Sequence, residues 1–390
     1  MQNKNANGAG NIRHRADGRW EARYSCGYDL GTGEPIRRSI YGKTQKEVRQ
    51  KLAQITTELD KGIYIEPSRL TLSEWLNIWL KEYTGNVKPF TLRAYEDRVN
   101  LHITPALGAV KLSALSAPMV QKFINSLSRG DDGKKPLAAK TVKNIHGVLH
   151  KALGQAVILG YIISNPADHC TLPRLVQKEI KPLDDNAAAA FLREAENDKY
   201  YKIFLVDLFT GLRQGEILGL SWNDVNFKTN TLTVRQQLQR EKKANGIYYL
   251  APLKNDKTRQ IQVARSVMIA LKERKREQAL ERFAAGERWT NQFPDLVFTN
   301  ELGGCVSHTT IRKHFKDIVE RIGLPDARFH DLRHSYAVAS LQNGDNVKTV
   351  QENLGHYSAS FTLDVYGHVT DKMRGESADR MEEHIKRITG

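Results

Sequence analysis

The final part of the chain contains side-chain types that could bind and attack a phosphate group. The motif HDLRH occupies residues 330–334, LGH occupies residues 354–356, and Tyr366 lies in the segment DVYGH. Further upstream, the segment TGLRQGE adds Arg213 and Glu216. Arginine side chains match phosphate oxygens with paired hydrogen bonds, and a tyrosine hydroxyl can form a covalent bond to phosphorus. These residue types predict phosphodiester chemistry on a nucleic acid, without a metal ion or any other cofactor.

A large positive charge accompanies these motifs. The 390 residues include 59 Lys and Arg against 44 Asp and Glu, which gives a formal net charge of +15. Basic residues recur in every predicted domain, so a polyanionic partner explains the charge better than simple solubility does. Each phosphate that a basic side chain neutralises releases condensed counterions, which favours binding. The composition therefore favours a nucleic-acid partner.

The cysteines and the apolar segments exclude several other classes of protein. Cys26, Cys170 and Cys305 are far apart, so neither a disulfide framework nor a cysteine-based zinc site is predicted. The sequence has no apolar run of about 18 residues and no apolar N-terminal signal region. We therefore expect a soluble, cytoplasmic protein without a membrane partner.

The first sixty residues are predicted to form a small basic sheet followed by a helix. Strand-like segments at about 10–15, 19–25 and 35–41 are separated by turn-type sequences. Thr44 and Glu47 form a capping-box pattern that opens a helix reaching to about residue 62. A basic ribbon of this size can enter a major groove, although a solvated sheet face is the alternative. The candidate DNA contacts are Arg13, Arg15, Arg23, Arg37 and Arg38.

A linker at 62–70 leads to a segment with helical patterns only. A second capping box, Thr71 with Glu74, opens a helix whose Trp75 and Trp79 share one face. This tryptophan stripe predicts a packed core rather than a platform for stacking bases.

Further helices are expected at about 90–102, 116–128 and 138–159, with a break at Pro105. Hydroxyl and basic residues near helix starts could hold phosphates, although a solvated surface is an equal alternative for each of them. These candidates are Lys88, Thr91, Arg93, Lys140, Thr141 and Lys143.

A linker at 172–183 precedes the region that holds the phosphate-binding motifs. Helical patterns alternate there with strand-like segments near 231–263. Lys254 lies between two of these strands, in a turn-like sequence.

The four ordered boxes resemble the signature of the tyrosine recombinases, the phage-type integrase family. TGLRQGEILGL resembles its first-arginine box, HDLRH its His-x-x-Arg box, and LGH followed ten residues later by Tyr366 its closing element. Residues 10–60 resemble the arm-site DNA-binding domain of conjugative-transposon integrases, and residues 70–170 resemble the helical core-binding domain. The resemblance therefore spans the whole chain.

The resemblance implies a multidomain α+β fold. Residues 1–62 would form the arm-site domain, a small three-stranded sheet plus a helix. Residues 70–172 would form an all-helical core-site domain, and residues 183–370 a mainly helical catalytic domain with a small antiparallel sheet. Residues 371–390 would be a weakly amphipathic tail that docks on a neighbouring protomer, with packing on its own protomer as the alternative.

The resemblance also implies a role for each residue of the boxes. Arg213 and Arg333 would clamp the phosphate, and Tyr366 would attack it to form a 3′-phosphotyrosine. The remaining roles follow from the same correspondence: Lys254 as the general acid, His330 and His356 as phosphate donors or proton carriers, and Glu216 as a residue that orients the site. Tyr336 and Tyr357 are rival nucleophiles that stand outside the family pattern.

The expected function is site-specific recombination of a mobile element on double-stranded DNA, with arm and core sites and a homotetramer on the DNA. An accessory excision factor and a host DNA-bending protein are candidate further partners. A type IB-like topoisomerase and a non-catalytic DNA-binding protein are the alternatives.

Overall fold

The structure is a computed structural model that describes residues 11–28, 32–60, 69–131, 133–176, 181–241, 246–253, 257–356 and 370–389. The chain divides into two compact units, Met1–Gln177 and Lys178–Gly390. In the first unit, the buried apolar side chains form two separate clusters, one in the N-terminal part and one among the helices that follow it.

The N-terminal part of the first unit is an antiparallel sheet packed against one helix, as predicted. Its elements are β1 (Asn11–His14), β2 (Trp20–Tyr28), β3 (Pro35–Gly42) and α1 (Gln45–Asp60), with strand order β1-β2-β3. Side chains alternate between the two faces of a strand, so Ala22 and Tyr24 of β2 point toward α1, where they pack with Val48 and Leu52. The other face of the sheet does not take part in this core.

The predicted capping box at the start of α1 is only half formed. The backbone N–H of Glu47 donates to Thr44 Oγ1 (3.2 Å). The Glu47 carboxylate, however, accepts from the backbone N–H of Lys43 (3.0 Å). The reciprocal bond therefore reaches one residue further back than the pattern predicts.

The rest of the first unit is helical. Its α-helices are α2 (Leu72–Glu82), α3 (Pro89–Arg98), α4 (Thr104–Leu107), α5 (Ala117–Arg129) and α6 (Ala139–Ile158). The capping box of Thr71 and Glu74 is complete. Trp75 and Trp79 are at most 1% exposed, and Trp75 Nε1 donates to the Ala152 carbonyl (3.0 Å). The prediction that these tryptophans belong to the core is confirmed.

Pro105 does not break the helix where the sequence predicts. Between α3 and α4, residues Val99–Ile103 form one wider π-helical turn, in which the N–H of Thr104 donates to the Val99 carbonyl. Proline has no N–H and its ring crowds the preceding helical turn. A wider turn accommodates both effects, so the helical path continues to Leu107 and the predicted end near residue 102 is wrong.

The second unit surrounds two small antiparallel sheets with helices. One sheet has the order β4-β5-β8, and β6 pairs with β7 in a hairpin. The strands are β4 (Val225–Asn226), β5 (Thr231–Val234), β6 (Gln236–Arg240), β7 (Tyr248–Pro252) and β8 (Arg259–Gln262). The helices are α7 (Asp185–Ala195), α8 (Tyr201–Thr210), α9 (Gln214–Leu218), α10 (Arg265–Ala285), α11 (His308–Arg321), α12 (Phe329–Gln342), α13 (Val347–Leu354) and α14 (Thr370–Thr389).

Aromatic packing holds four of these helices together. The rings of Phe191 on α7 and Phe204 on α8 lie 5.6 Å apart, and Phe315 on α11 lies 5.8 Å from Phe329 on α12. Such rings contribute much of the buried apolar area of a core. They position α8 and the start of α12, and the first turns of α12 carry the predicted catalytic residues His330 and Arg333.

The C-terminal segment forms the helix that the sequence predicts. On α14, the apolar side chains of Met381, Ile385 and Ile388 are 57%, 43% and 67% exposed. No helix in the described ranges is both long enough and apolar enough to span a membrane.

Candidate active site

Arg213 is the N-cap residue of α9 and lies two residues after Gly211, the glycine that ends α8. Gly211 has a φ of 61°, and a Cβ added there would lie 2.4 Å from Tyr336 Cδ1, so the turn requires glycine. The backbone N–H of Arg213 donates to Glu216 Oε2 (3.0 Å), and Arg213 Nη1 donates to Glu216 Oε1 (2.7 Å). Glu216 therefore orients the Arg213 side chain from one helical turn away.

Glu216 also binds a second arginine, which the sequence analysis did not single out. Arg259 Nη2 donates to Glu216 Oε2 (2.6 Å), and Arg259 Nη1 donates to Oε1 (3.2 Å). Burial disfavours the charged form of Glu216, whose side chain is 2% exposed. The hydrogen bond and charge of Arg259, with the charges of Arg213 and Arg333, outweigh burial and hold the pKa of Glu216 at about 2. The ionised carboxylate thus fixes two guanidinium groups side by side.

The C-terminal end of α13 gathers three arginines from three different elements. Each arginine donates a hydrogen bond to one backbone carbonyl there. Arg259 Nε donates to Asn353 (2.7 Å), Arg333 Nη2 to Leu354 (2.6 Å), and Arg213 Nη2 to Gly355 (3.1 Å). The last carbonyls of a helix lack partners within the helix, and the helix dipole makes this end negative. These three bonds satisfy the carbonyls and bring the guanidinium groups into one cluster, which we call the arginine cluster.

Arg333 is the most deeply buried member of the arginine cluster. It lies on α12, its side chain is 1% exposed, and its Nη1 donates to the Gly211 carbonyl (2.6 Å). Arg333 thus connects the end of α8 to the end of α13. A guanidinium group that donates to two backbone carbonyls in this way has little freedom to reorient.

Three histidines surround the arginine cluster. Loss of hydration and then nearby positive charge lower the pKa of His330 and His334 to about 4 and that of His356 to about 3. His330 keeps a solvent-exposed edge, whereas His334 and His356 are partly buried. All three imidazoles are therefore neutral at pH 7 in the protein without DNA. A bound phosphate would bring negative charge and favour their protonated forms.

A cavity of about 540 Å³ opens beside the arginine cluster. Its described lining includes the cationic side chains of Arg213, Lys257 and Arg259, the neutral imidazole of His356 and the carboxylate of Glu352. Positive charge prevails in this lining, so the cavity suits an anion such as a phosphodiester.

The structure brings together those predicted catalytic residues that it describes. Arg213, His330, Arg333 and His356 belong to the site, and Glu216 supports it. Lys254 and Tyr366 lie outside the described residues, as does the rival Tyr357.

The other rival nucleophile, Tyr336, has a structural environment. Its hydroxyl accepts a hydrogen bond from Asn353 Nδ2 (3.0 Å), and its ring closes over Gly211. Packing against the turn that precedes Arg213 explains this tyrosine without a chemical role.

Two further residues of the site, Arg259 and Asp207, have recognisable signals in the sequence. Arg259 stands two residues before the buried Ile261 on β8, so strand alternation directs it inward, where a charged group needs a partner. Asp207 is the single acid in the apolar helix α8.

Asp207 is fully buried beside the arginine cluster. Within the described part of the chain, neither of its carboxyl oxygens has a hydrogen-bond partner. Burial raises the pKa of Asp207 well above its usual value; the charge of Arg333 opposes this effect, and that of Glu216 reinforces it.

The predicted DNA contacts of the N-terminal sheet divide between its two faces. Strand register and alternation place Arg13, Arg23 and Arg37 on the face away from α1, which we call the open face. Arg38 pairs with Tyr24 and belongs to the opposite face. Arg15 follows β1, and its guanidinium lies 5.5 Å from the centre of the Tyr41 ring on the open face.

Two of the predicted contacts in the helical part share a groove between α3 and α6. Thr91 and Lys143 both line this cavity of about 390 Å³, together with Arg98. The other candidates lie at or near the starts of the same two helices: Lys88, Arg93, Lys140 and Thr141. Among the residues that the structure describes, no group of three His, Cys, Asp or Glu side chains could hold a metal ion.

Two family profiles match the chain. The profile of the Phage integrase family matches residues 174–373, and that of the Phage integrase, N-terminal SAM-like domain matches residues 71–128. The first match contains every predicted catalytic residue.

Curated relatives match nearly the full length. The chain is 30% identical over 370 residues to a Tyrosine recombinase XerC-like protein of Caldanaerobacter subterraneus subsp. tengcongensis, covering 90% of this chain and 93% of the relative. It is 24% identical over 389 residues to the ICEBs1 integrase of Bacillus subtilis, covering 95% and 99%.

Solved structures share the fold. The Tn1549 transposon integrase, in complex with circular intermediate DNA, has a TM-score of 0.67 at 22% identity, covering 79% of this chain and 99% of that one. A lambda integrase tetramer bound to a Holliday junction has a TM-score of 0.56 at 20% identity, covering 93% and 97%. The predicted α+β fold class is confirmed.

Proposed function

This chain is a tyrosine site-specific recombinase of the phage integrase family, and from that premise we propose how it recombines the DNA of a mobile element. The proposal is that it cuts and rejoins double-stranded DNA through a 3′-phosphotyrosine on Tyr366. The observation that carries the proposal is the arginine cluster, in which Arg213 and Arg333 are fixed beside His356 at the end of α13.

Arg213 and Arg333 act as the phosphate clamp. A phosphodiester is a poor electrophile because its negative charge repels a nucleophile. Two guanidinium groups neutralise the charge that grows on the non-bridging oxygens, and each such preorganised donor typically contributes a factor of ~10²–10³ to the rate. Neither group serves as a base, because arginine stays protonated.

Tyr366 is the nucleophile and Lys254 the general acid. The Tyr366 oxygen attacks phosphorus, the bond from phosphorus to the 5′ oxygen breaks, and Lys254 gives that oxygen a proton to leave a 5′-hydroxyl. The ordinary pKa of tyrosine is about 10, and a cationic site favours the ionised form. Support comes from the position of Tyr366 ten residues after LGH and of Lys254 between two strands.

The histidines and Glu216 have supporting roles in the reaction. His330 and His356 donate to phosphate oxygens or carry protons, since an imidazole changes charge near neutral pH once a phosphate opposes the surrounding cations. Glu216 orients Arg213 and does not touch the DNA. The phosphotyrosine ester conserves the energy of the broken bond, so another 5′-hydroxyl can reseal the strand without ATP.

The remaining domains select the DNA site. Residues 1–62 bind arm sites, residues 70–172 bind core sites, and the 371–390 tail docks on a neighbouring protomer of a DNA-bound homotetramer. Exposed apolar side chains on α14 support the docking. The complexes of the Tn1549 and lambda integrases support DNA binding and assembly. An accessory excision factor and a host DNA-bending protein would act with it, in the cytoplasm where the chromosome lies.

A recombination assay separates this function from its alternatives. Purified protein is incubated with two duplexes that carry the end sequences of its element, and in parallel with a supercoiled plasmid that lacks them. We expect recombinant duplexes with the native chain and none with Tyr366→Phe. Relaxation of the plasmid without recombination would indicate a topoisomerase, and DNA binding without strand cleavage would indicate a non-catalytic protein.

A further inference from the structure

Glu21 occupies an unusual place on the N-terminal sheet. Its neighbour Ala22 faces α1 and the core, so Glu21 lies on the open face. Carboxylates on such a face are normally exposed, yet the Glu21 side chain is only 1% exposed. Other polar side chains must therefore cover it.

Donors from all three strands cover Glu21. Glu21 Oε2 accepts a hydrogen bond from Arg13 Nε (2.7 Å) and one from Arg15 Nη1, just beyond β1 (3.5 Å). Arg13 Nη2 also lies 2.7 Å from Oε2, as an ion pair. The bonds to Oε1 come from Ser39 Oγ (2.8 Å) and Arg23 Nε (3.1 Å). The hydrogen bond from the Ser39 hydroxyl, together with those from Arg13 and Arg23, lowers the pKa of Glu21 to about 2, although burial opposes this shift. The carboxylate is thus ionised throughout the ordinary pH range.

The arginines remain accessible although they cover the carboxylate. The side chains of Arg13 and Arg23 are 52% and 54% exposed. Each guanidinium group contacts Glu21 through its Nε side. Three guanidinium groups around one carboxylate also leave an excess of positive charge for DNA.

We propose that Glu21 is a positioning residue that orients Arg13 and Arg23 to read guanines of the arm site in the major groove. A guanidinium group recognises guanine through paired bonds to its O6 and N7 atoms, and this recognition depends on the angle of the plane. Long side chains lose conformational freedom when they bind. Arginines that Glu21 has already ordered lose less conformational freedom when they bind DNA. More of the free energy of their hydrogen bonds to guanine therefore contributes to affinity for the correct sequence.

This inference rests on the proposed function of residues 1–62 as the arm-site domain. Duplexes are selected from a random pool with the full-length chain, and those whose binding requires Arg13 define the arm site. If no selected duplex depends on Arg13, the domain proposal itself fails, and the role of Glu21 fails with it.

The test compares Glu21→Gln with Glu34→Gln at one fixed salt concentration. Both variants raise the net charge by one, but Glu34 is exposed and lies just before β3. The measured quantity is the ratio of affinities for the arm duplex and for a random duplex. We expect Glu34→Gln to keep this ratio and Glu21→Gln to lower it about tenfold to a hundredfold, with equal binding of random DNA. Equal ratios for the two variants would overturn the proposal.

Modified DNA first tests the guanine contacts with the native protein, and that result does not depend on the folding of a variant. Replacing guanine by 7-deazaguanine removes the N7 acceptor. We expect the affinity ratio of the native chain to fall at one or two guanines, and the ratio of a folded Glu21→Gln variant to show no further fall there. If the native chain tolerates the replacement at every guanine, it contacts phosphates rather than guanines and the proposal is wrong.

Discussion

Two carboxylates in this molecule each organise arginines, but they do so in different surroundings. Glu216 and Glu21 are 2% and 1% exposed. In the arginine cluster, Arg333 and Arg259 are largely buried, at 1% and 10% exposed, and Arg213 is 29% exposed. On the open face of the sheet, the arginines around Glu21 are more exposed: Arg15 is 36% exposed, and Arg13 and Arg23 are 52% and 54% exposed.

The difference indicates which property each arrangement controls. Buried guanidinium groups bind helix-end carbonyls that have no water to replace them, so losing one costs both stability and chemistry. Exposed guanidinium groups contribute little to the stability of the fold. Their orientation mainly affects the binding of DNA. We therefore expect variants of the arginine cluster to affect folding and cleavage, and variants of the open face to affect sequence selection.

Arg333→Lys should produce the largest effect. Lysine keeps the charge but cannot donate to the Gly211 and Leu354 carbonyls together, and each unpaired buried carbonyl costs about 1–3 kcal/mol. Strand cleavage should fall by a factor of ~10²–10³. Urea unfolding and single-turnover cleavage measure both, with Arg321→Lys as the exposed control. If the two variants unfold at the same urea concentration, the bonds from Arg333 to the Gly211 and Leu354 carbonyls do not stabilise the fold.

Glu216→Gln should follow, with a loss of stability of about 3 kcal/mol, because the change leaves two arginines without their carboxylate. Glu21→Gln should shift the unfolding midpoint much less. The folded-state pKa of Glu216, about 2, is below its usual value of 4.5, so its contribution is present above pH 4.5 and disappears as pH falls toward 2. The exposed Glu320→Gln is the control. Equal shifts of the unfolding midpoint in Glu216→Gln and Glu21→Gln would contradict the distinction between the arginine cluster and the open face.

The histidines should make the arginine cluster sensitive to pH, whereas arginine charges stay constant. The folded protein resists protonation of His356 and His334 until about pH 3 and 4. The unfolded chain takes up these protons near pH 6.5, so stability should decrease as pH falls below 6.5. Unfolding midpoints at pH 7 and pH 5 measure the decrease, which His356→Gln should reduce. The control is His384→Gln, on the exposed surface of α14. If both variants retain the decrease in stability that the native chain shows, His356 is not the source of this pH sensitivity.

Asp207→Asn should have the smallest effect and the opposite pH dependence. Asp207 is a buried acid whose carboxyl oxygens accept no hydrogen bond from the described residues, and its pKa is raised. The unfolded chain loses this proton above about pH 4 while the folded chain retains it, so Asp207 destabilises the fold increasingly as pH rises. The stability of Asp207→Asn relative to the native chain should therefore be greater at pH 8 than at pH 5. A variant whose relative stability falls over that interval would contradict this assignment.

Local patterns in the sequence predicted local structure well. The complete capping box at Thr71 and Glu74, the buried Trp75 and Trp79, and the contact of Arg213 with Glu216 each depend on residues within a few positions of one another. Side chains at such spacing meet in any helix that forms there.

Contacts between distant elements could not be predicted from spacing. Arg259 reaches Glu216 from 43 residues away, and Arg213 reaches Gly355 from 142 residues away. The division of Arg37 and Arg38 between two sheet faces required the strand register. The π turn before Pro105 was not predicted, because a proline can either end a helix or be accommodated by a wider turn. The resemblance supplied the grouping of the catalytic residues, but it did not supply the carbonyl groups that hold them.

We propose above that the arginine cluster binds the phosphate that Tyr366 attacks. The most direct test uses a nicked suicide duplex that carries the core site, incubated with the protein and a metal chelator. We predict that the native chain and Tyr336→Phe both accumulate a covalent DNA adduct, which peptide mapping locates on Tyr366, and that Tyr366→Phe accumulates none. An adduct that persists in Tyr366→Phe, or that maps to another tyrosine, would contradict the claim.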